Sequence, residues 1–155
     1  IPGIPYHSKL TEHYFWQEVV DEIKQIAEDV RDESGKLPII VGMSKWSVAS
    51  ALAFYSHNDK QWDIRSRNMF GGSGSMYEIW FPEQKPIDRP IIQVGMKRRH
   101  IEKIQIQSGS NKISFDTSEM LTQPGDIKSK TILRHDMPVR KIYYRISTGF
   151  KGVTH

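Results

Sequence analysis

The chain has 155 residues, of which 37% are hydrophobic, and it carries a formal net charge of +4. This length fits one domain with a buried core. The absence of cysteine excludes disulfides and thiolate metal sites, and no apolar run reaches the roughly 18–20 residues of a membrane-spanning helix. Charge is unevenly divided, since residues 1–60 hold six Lys or Arg against nine Asp or Glu and the remainder holds sixteen against nine. The basic part can neutralise phosphates or complement an acidic surface on another subunit.

The first part of the chain predicts an arm followed by a long helix. Residues 1–10 contain Pro2, Gly3 and Pro5 and predict an extended arm. Residues 11–35 predict an amphipathic helix that ends at Gly35, which suits a C-terminal cap. Its apolar positions recur at three- and four-residue spacing: Trp16, Val19, Val20, Ile23, Ile26, Ala27 and Val30. The opposite face is acidic, so the helix is predicted to pack on a core along one side.

Residues 36–155 predict the rest of a single α+β domain. A short apolar strand ends at Gly42, and Ser44 or Ser47 can cap a second helix that runs to Tyr55. Residues 61–70 fit a strand or an irregular loop, and the glycine-rich residues 71–75 predict a flexible loop. Further strands are predicted at Met76–Phe81, Ile91–Val94, Ile101–Ile106, Lys112–Asp116, Thr131–His135 and Lys141–Ser147, with a turn at Pro124–Asp126. Because helices and then many strands follow one another, the fold class is predicted to be α+β with a mostly antiparallel sheet, rather than a doubly wound one.

A candidate catalytic set combines Asp63 with Glu83 and Lys85. Magnesium-dependent nucleases of the restriction-enzyme type use an Asp followed by Glu-x-Lys, with the carboxylates on the metal and the lysine on the attacking water. The helix carboxylates Glu18 and Glu22 could complete such a site. Pro82 and Pro86 bracket the Glu-x-Lys segment, which suits a loop better than the strand this site requires.

A candidate binding set is basic. Lys97, Arg98 and Arg99 form the densest positive run, directly before His100. If the last strands pair with this run, they add Arg134, Arg140, Lys141 and Arg145. These side chains suit contacts to nucleic-acid phosphates or to another subunit, while the alternative is an edge strand charged against aggregation.

The segment from Glu18 to Phe54 resembles the spine-helix region of HK97-fold major capsid proteins of tailed bacteriophages. In that family a long charged helix ends at a small-residue turn, and a hydrophobic strand and a helix rich in small residues follow, as in residues 37–42 and 48–52 here. Residues 76–80, 91–95 and 134–145 are similar, more loosely, to later strands of that fold. The chain departs from the family in its short arm, since ten residues precede Thr11.

The resemblance implies a structural, self-assembling shell protein with no cofactor and no metal. The expected partners are many copies of the same chain and packaged DNA held through non-specific phosphate contacts, with no membrane partner. The expected location is the virion, assembled in the host cytoplasm. The alternatives are the magnesium-dependent nuclease and a non-enzymatic nucleic-acid-binding domain.

Overall fold

The computed structural model describes residues 9–43, 51–53, 62–70, 86–108, 110–134 and 137–152. The predictions for most of the N-terminal arm, for the glycine-rich loop, for the strand over residues 76–81, and for Glu83 and Lys85 lie outside these residues. Most of the predicted second helix lies outside them too, although residues 51–53 are helical.

The described elements follow one another in chain order. They are α1 (Lys9–Ser34), β1 (Ile39–Gly42), β2 (Asp63–Ser66), the 3-10 helix η1 (Arg67–Phe70), β3 (Ile91–Gly95), α2 (Arg98–Glu102), β4 (Lys103–Ser108), β5 (Asn111–Asp116), the 3-10 helix η2 (Thr117–Met120), β6 (Leu121–Thr122), β7 (Lys128–Arg134), β8 (Met137–Ser147) and β9 (Gly149–Phe150). None of the helices in these ranges is long and apolar enough to cross a membrane.

The long helix α1 confirms the prediction for residues 11–35. Its 26 residues end where Gly35 adopts a φ of +74°, and the Gly35 amide donates to the Arg31 carbonyl over 2.8 Å. A glycine reaches this left-handed conformation without a steric penalty, so it closes the helix as the sequence indicated.

Five strands form a mixed sheet in the order β2-β1-β3-β8-β7. β1 lies parallel to both β2 and β3, whereas β8 lies antiparallel to β3 and to β7. The strand pairs β4–β5 and β6–β9 are also antiparallel. The predicted α+β class with one long helix and mostly antiparallel pairing is therefore confirmed, and the parallel β2-β1-β3 unit is an addition to it.

Apolar side chains cover both faces of this sheet. Successive residues of a strand point to opposite faces, and accordingly Ile40 and Ile92 join the core beneath α1 while Ile39 and Ile91 join the core on the other face. Strands covered on both faces read as continuous apolar runs, which explains why β1 and β3 could be recognised from sequence.

Two predicted strands differ from the structure in instructive ways. The strand expected over Ile101–Ile106 is interrupted, because Arg98–Glu102 forms α2 and β4 begins only at Lys103. The strand predicted over Lys141–Ser147 starts earlier, since β8 begins at Met137, and it includes Pro138, which pairs with Leu133 beside an irregularity in the β7–β8 ladder. A proline lacks the ladder donor and is tolerated at such an irregularity.

Candidate functional site

Three parallel strands end at one edge of the sheet, here called the carboxyl edge. β1 ends at Gly42, β2 at Ser66 and β3 at Gly95, and the register pairs of the three strands run side by side. In α/β sheets, ligands bind in the crevice beyond the carboxyl ends of parallel strands, so this edge is the first place to look for a site.

The basic run of the sequence lies at the carboxyl edge, directly after β3. Lys97, Arg98 and Arg99 are exposed there, and Arg98 donates to the Glu102 carboxylate over 2.8 Å. The chain bends at residues 96–97, and the His100 amide donates to the Lys97 carbonyl over 3.1 Å. These bends fold α2 back over the end of β3, so that its basic side chains lie beside the parallel strands.

A further basic residue reaches this edge from β2. Arg67 follows the last residue of β2 and is half-buried at the start of η1. Burial lowers the pKa of Arg67, and Arg67 in turn is close enough to His100 to lower the pKa of that imidazole. Arg67 is not among the contacts predicted from sequence, because no local signal reveals that β2 and β3 flank the same strand.

His100 lies among cations. Burial makes the largest contribution to lowering its pKa, followed by the charges of Arg99, Lys97 and Arg67. A lowered pKa leaves the imidazole neutral at neutral pH in the unliganded protein. An anion bound at this point would offset the repulsion and favour the protonated form.

The β7–β8 hairpin projects beyond the carboxyl edge. Tyr143 of β8 pairs with Gly95, the last residue of β3. Because β8 is antiparallel to β3, Lys141 lies two residues beyond the end of β3, and its side chain is exposed. Arg140 and Arg134 occupy backbone positions still further along the hairpin. β8 pairs with β3 and not with the basic run, which is helical, but the hairpin still brings these three positions to the same end of the sheet as Lys97. Their role as contacts stays a prediction.

Arg145 does not belong to the exposed basic set. Only 6% of its surface is accessible, and its guanidinium donates to Gln93 and Thr117 inside the protein. The reason is positional, because Arg145 pairs with the central strand residue Gln93 on the face covered by α2 and η2.

Asp63 is the member of the predicted set Asp63, Glu83 and Lys85 that the structure describes, and it lies at the end of the sheet opposite the carboxyl edge. Asp63 begins β2, and its carboxylate accepts hydrogen bonds from Arg65 over 3.1 and 3.2 Å and from Arg89 over 3.0 Å. Two guanidinium groups therefore occupy the oxygens that a metal ion would require. Of Glu18 and Glu22, the latter forms an ion pair with Lys130 over 2.6 Å.

The metal-ligand search and the comparisons with known proteins gave the following results. Within the described ranges, no three His, Asp or Glu side chains come together as a candidate metal site. No family model matches the chain, and no curated protein or solved structure matches it.

Proposed function

We propose that this chain is a non-enzymatic nucleic-acid-binding domain that holds phosphates at the carboxyl edge without reading sequence. The observation that carries the proposal is the convergence of Arg67, Lys97, Arg99 and Lys141 on the side of the sheet where the parallel strands end. Cations at such a position neutralise phosphates and release their counterions, which supplies sequence-independent affinity.

The spread of the cations favours an extended polyanion over a single phosphate. Arg67 follows β2 and Lys141 belongs to β8, which lies three strands away in the sheet order. At roughly 4.8 Å between neighbouring strands, this row spans about 14 Å. With about 3.4 Å of helix axis per nucleotide in each strand of B-DNA, the row matches roughly four nucleotides of a strand stacked in that way.

A salt titration of the wild-type chain tests the proposal. We expect fluorescein-labelled oligothymidylate to bind, with log affinity falling linearly as log salt rises between about 50 and 200 mM, at about 0.7 per phosphate contacted. Fluorescence anisotropy measures the affinity. Failure to bind at the lowest salt, or binding that ignores salt, contradicts the proposal, and equal binding of oligothymidylate and a mixed-sequence strand supports the non-specific mode.

Binding is expected to tighten at acidic pH through His100. The pKa of His100 is lowered in the free protein by burial, Arg99, Lys97 and Arg67, whereas a bound phosphate raises it, so binding takes up a proton. The affinity should rise as the pH falls through the range in which an imidazole titrates, and it should level off below the lowered pKa of the free protein. Anisotropy at constant ionic strength measures this, and His100→Gln should remove the rise; an unchanged rise in that variant contradicts the assignment.

A self-assembling shell of the HK97 type is a second proposal, supported by a separation of charge. The exposed residues of α1 include Asp21, Asp29 and Asp32, whereas the carboxyl edge is basic. These surfaces are complementary between copies, and a shell closes through repeated contacts of this kind. Light scattering tests it: closed particles of megadalton mass support the shell, and a monodisperse monomer or dimer contradicts it.

A further inference from the structure

The basic run rests on a helix too short to be stable by itself. α2 has five residues, Arg98–Glu102, and no side chain caps its first turn. Isolated helices shorter than about 12–15 residues are marginal in water. The three cations from Lys97 to Arg99 also lie at the N-terminal end of α2, where positive charge is unfavourable to the helix dipole. Something outside α2 must therefore hold this segment in place.

The buried end of α2 receives an unusual number of hydrogen bonds. The Ile101 carbonyl accepts from Gln93 Nε2 over 3.3 Å, from Arg145 Nη2 over 3.4 Å, and from the Thr117 hydroxyl. The same hydroxyl approaches the Glu102 carbonyl at 3.1 Å. Carbonyls at the end of a helix have no partner within it, so β3, β8 and η2 together supply the missing donors.

Arg145 connects these donors to one another. Its Nε donates to Gln93 Oε1 over 2.8 Å and its Nη2 donates to Thr117 Oγ1 over 2.7 Å. Burial lowers the pKa of Arg145, while the charges of Asp116 and Glu102 raise it, and an arginine remains charged in proteins. A buried cation thus faces the carbonyl end of α2, where positive charge is favourable.

We propose that Arg145 is a positioning residue, which holds α2 so that Lys97, Arg99 and His100 meet the phosphates of a nucleic acid as one pre-ordered unit. The proposal rests on the proposed function of the carboxyl edge. It assigns to Arg145 a role through the backbone of α2, in place of the direct contact that its charge suggested from sequence.

Direct contact with phosphate and positioning of α2 differ in how many counterions the protein releases when it binds. A residue that contacts phosphate lowers the salt slope when it is neutralised, because fewer counterions are released. A residue that only orders α2 leaves the number of phosphate contacts unchanged. Its loss instead adds the cost of ordering the segment upon binding, so affinity falls while the slope stays the same.

The experiment compares Arg145→Met and Thr117→Val with Arg99→Gln in the full chain, using labelled oligothymidylate. We expect the first two variants to bind about tenfold more weakly with an unchanged salt slope. Arg99→Gln should lower the slope by about 0.7. Arg145→Lys keeps the buried charge and one of the donors, and it should recover part of the affinity. Circular dichroism confirms that each variant is folded.

Thr117→Val and Arg145→Lys keep the test decisive if Arg145→Met does not fold. A fall in slope for the Arg145 variants that matches Arg99→Gln overturns the proposal, since Arg145 would then contact phosphate directly. Folded variants with wild-type affinity overturn it as well. If the wild-type chain binds no oligonucleotide, the proposed function itself has failed, and that result is distinct from either of these.

Discussion

Neutralising Lys97 and Arg99 together should weaken oligothymidylate binding about 25-fold at 0.1 M salt and should lower the salt slope by about 1.4. Both side chains are exposed at the carboxyl edge. Arg98 is left unchanged in this double variant because it forms an ion pair with Glu102. The substitutions Lys97→Gln and Arg99→Gln remove two charges without deleting a buried contact, so the free energy of unfolding should change little.

The matched control removes the same charge from the other end of the sheet. Lys36 is exposed ahead of β1, where it forms a solvent-exposed ion pair with Asp88 over 3.1 Å that contributes little to stability. Lys151 is exposed directly after Phe150, which bridges to Ile87 ahead of β3. Lys36→Gln with Lys151→Gln has the same net charge as the first variant and should keep most of the wild-type affinity. An equal loss in both double variants would mean that net charge, rather than the carboxyl edge, governs binding.

Phe70→Ala should lower the free energy of unfolding by about 3–5 kcal/mol. Phe70 is completely buried at the end of η1, and its ring meets that of Phe150 edge-to-face with centroids 5.4 Å apart. The substitution removes apolar burial, leaves a cavity and eliminates the aromatic pair, and these losses act in the same direction. Because Arg67 begins η1, the site depends on this packing for one of its cations.

Urea denaturation followed by tryptophan fluorescence measures the effect. Leu133→Ala is the control, because Leu133 is 53% exposed on β7 and its truncation should change the free energy of unfolding by less than about 0.5 kcal/mol. Phe70→Leu keeps much of the apolar volume, so its loss in the free energy of unfolding should lie between those of Phe70→Ala and Leu133→Ala. A loss below about 1 kcal/mol for Phe70→Ala would contradict the burial of this ring in the core.

The shell proposal and the binding-domain proposal assign different partners to the carboxyl edge. In a shell, the carboxyl edge would meet the acidic face of α1 on a neighbouring copy, and charge reversal on both surfaces together would restore assembly. In a binding domain, substitutions at Asp21 or Asp29 on the exposed face of α1 should not reduce affinity for oligothymidylate. The two proposals therefore remain separable even though both invoke the same cations.

The hydrogen-bond partners of the Asp63 carboxylate bear on the nuclease alternative, in which this carboxylate would bind a metal ion. Its carboxylate is held by Arg65 and Arg89 at the edge where β2 begins, away from the exposed cations. Such pairing is what a structural ion cluster requires. Glu83 and Lys85 lie outside the described residues, so the complete set stays a prediction from sequence.

The sequence by itself determined the elements whose signals are local. The three- and four-residue spacing from Val19 to Val30, together with Gly35, was sufficient for α1, and the apolar runs were sufficient for β1 and β3. Amphipathic period, a terminal glycine and continuous burial act within a short stretch of chain, and they can be recognised without knowing what lies beside it.

The tertiary structure alone decided what lies next to what. The parallel order of β2, β1 and β3 brings Arg67 beside His100, which are distant in sequence. Segment Arg98–Glu102 is helical because buried donors from Gln93, Thr117 and Arg145 satisfy its end, although a helix of five residues is not stable by itself. The charge of Arg145 is evident from sequence, but its burial depends on the strand register, and burial separates a positioning residue from a surface contact.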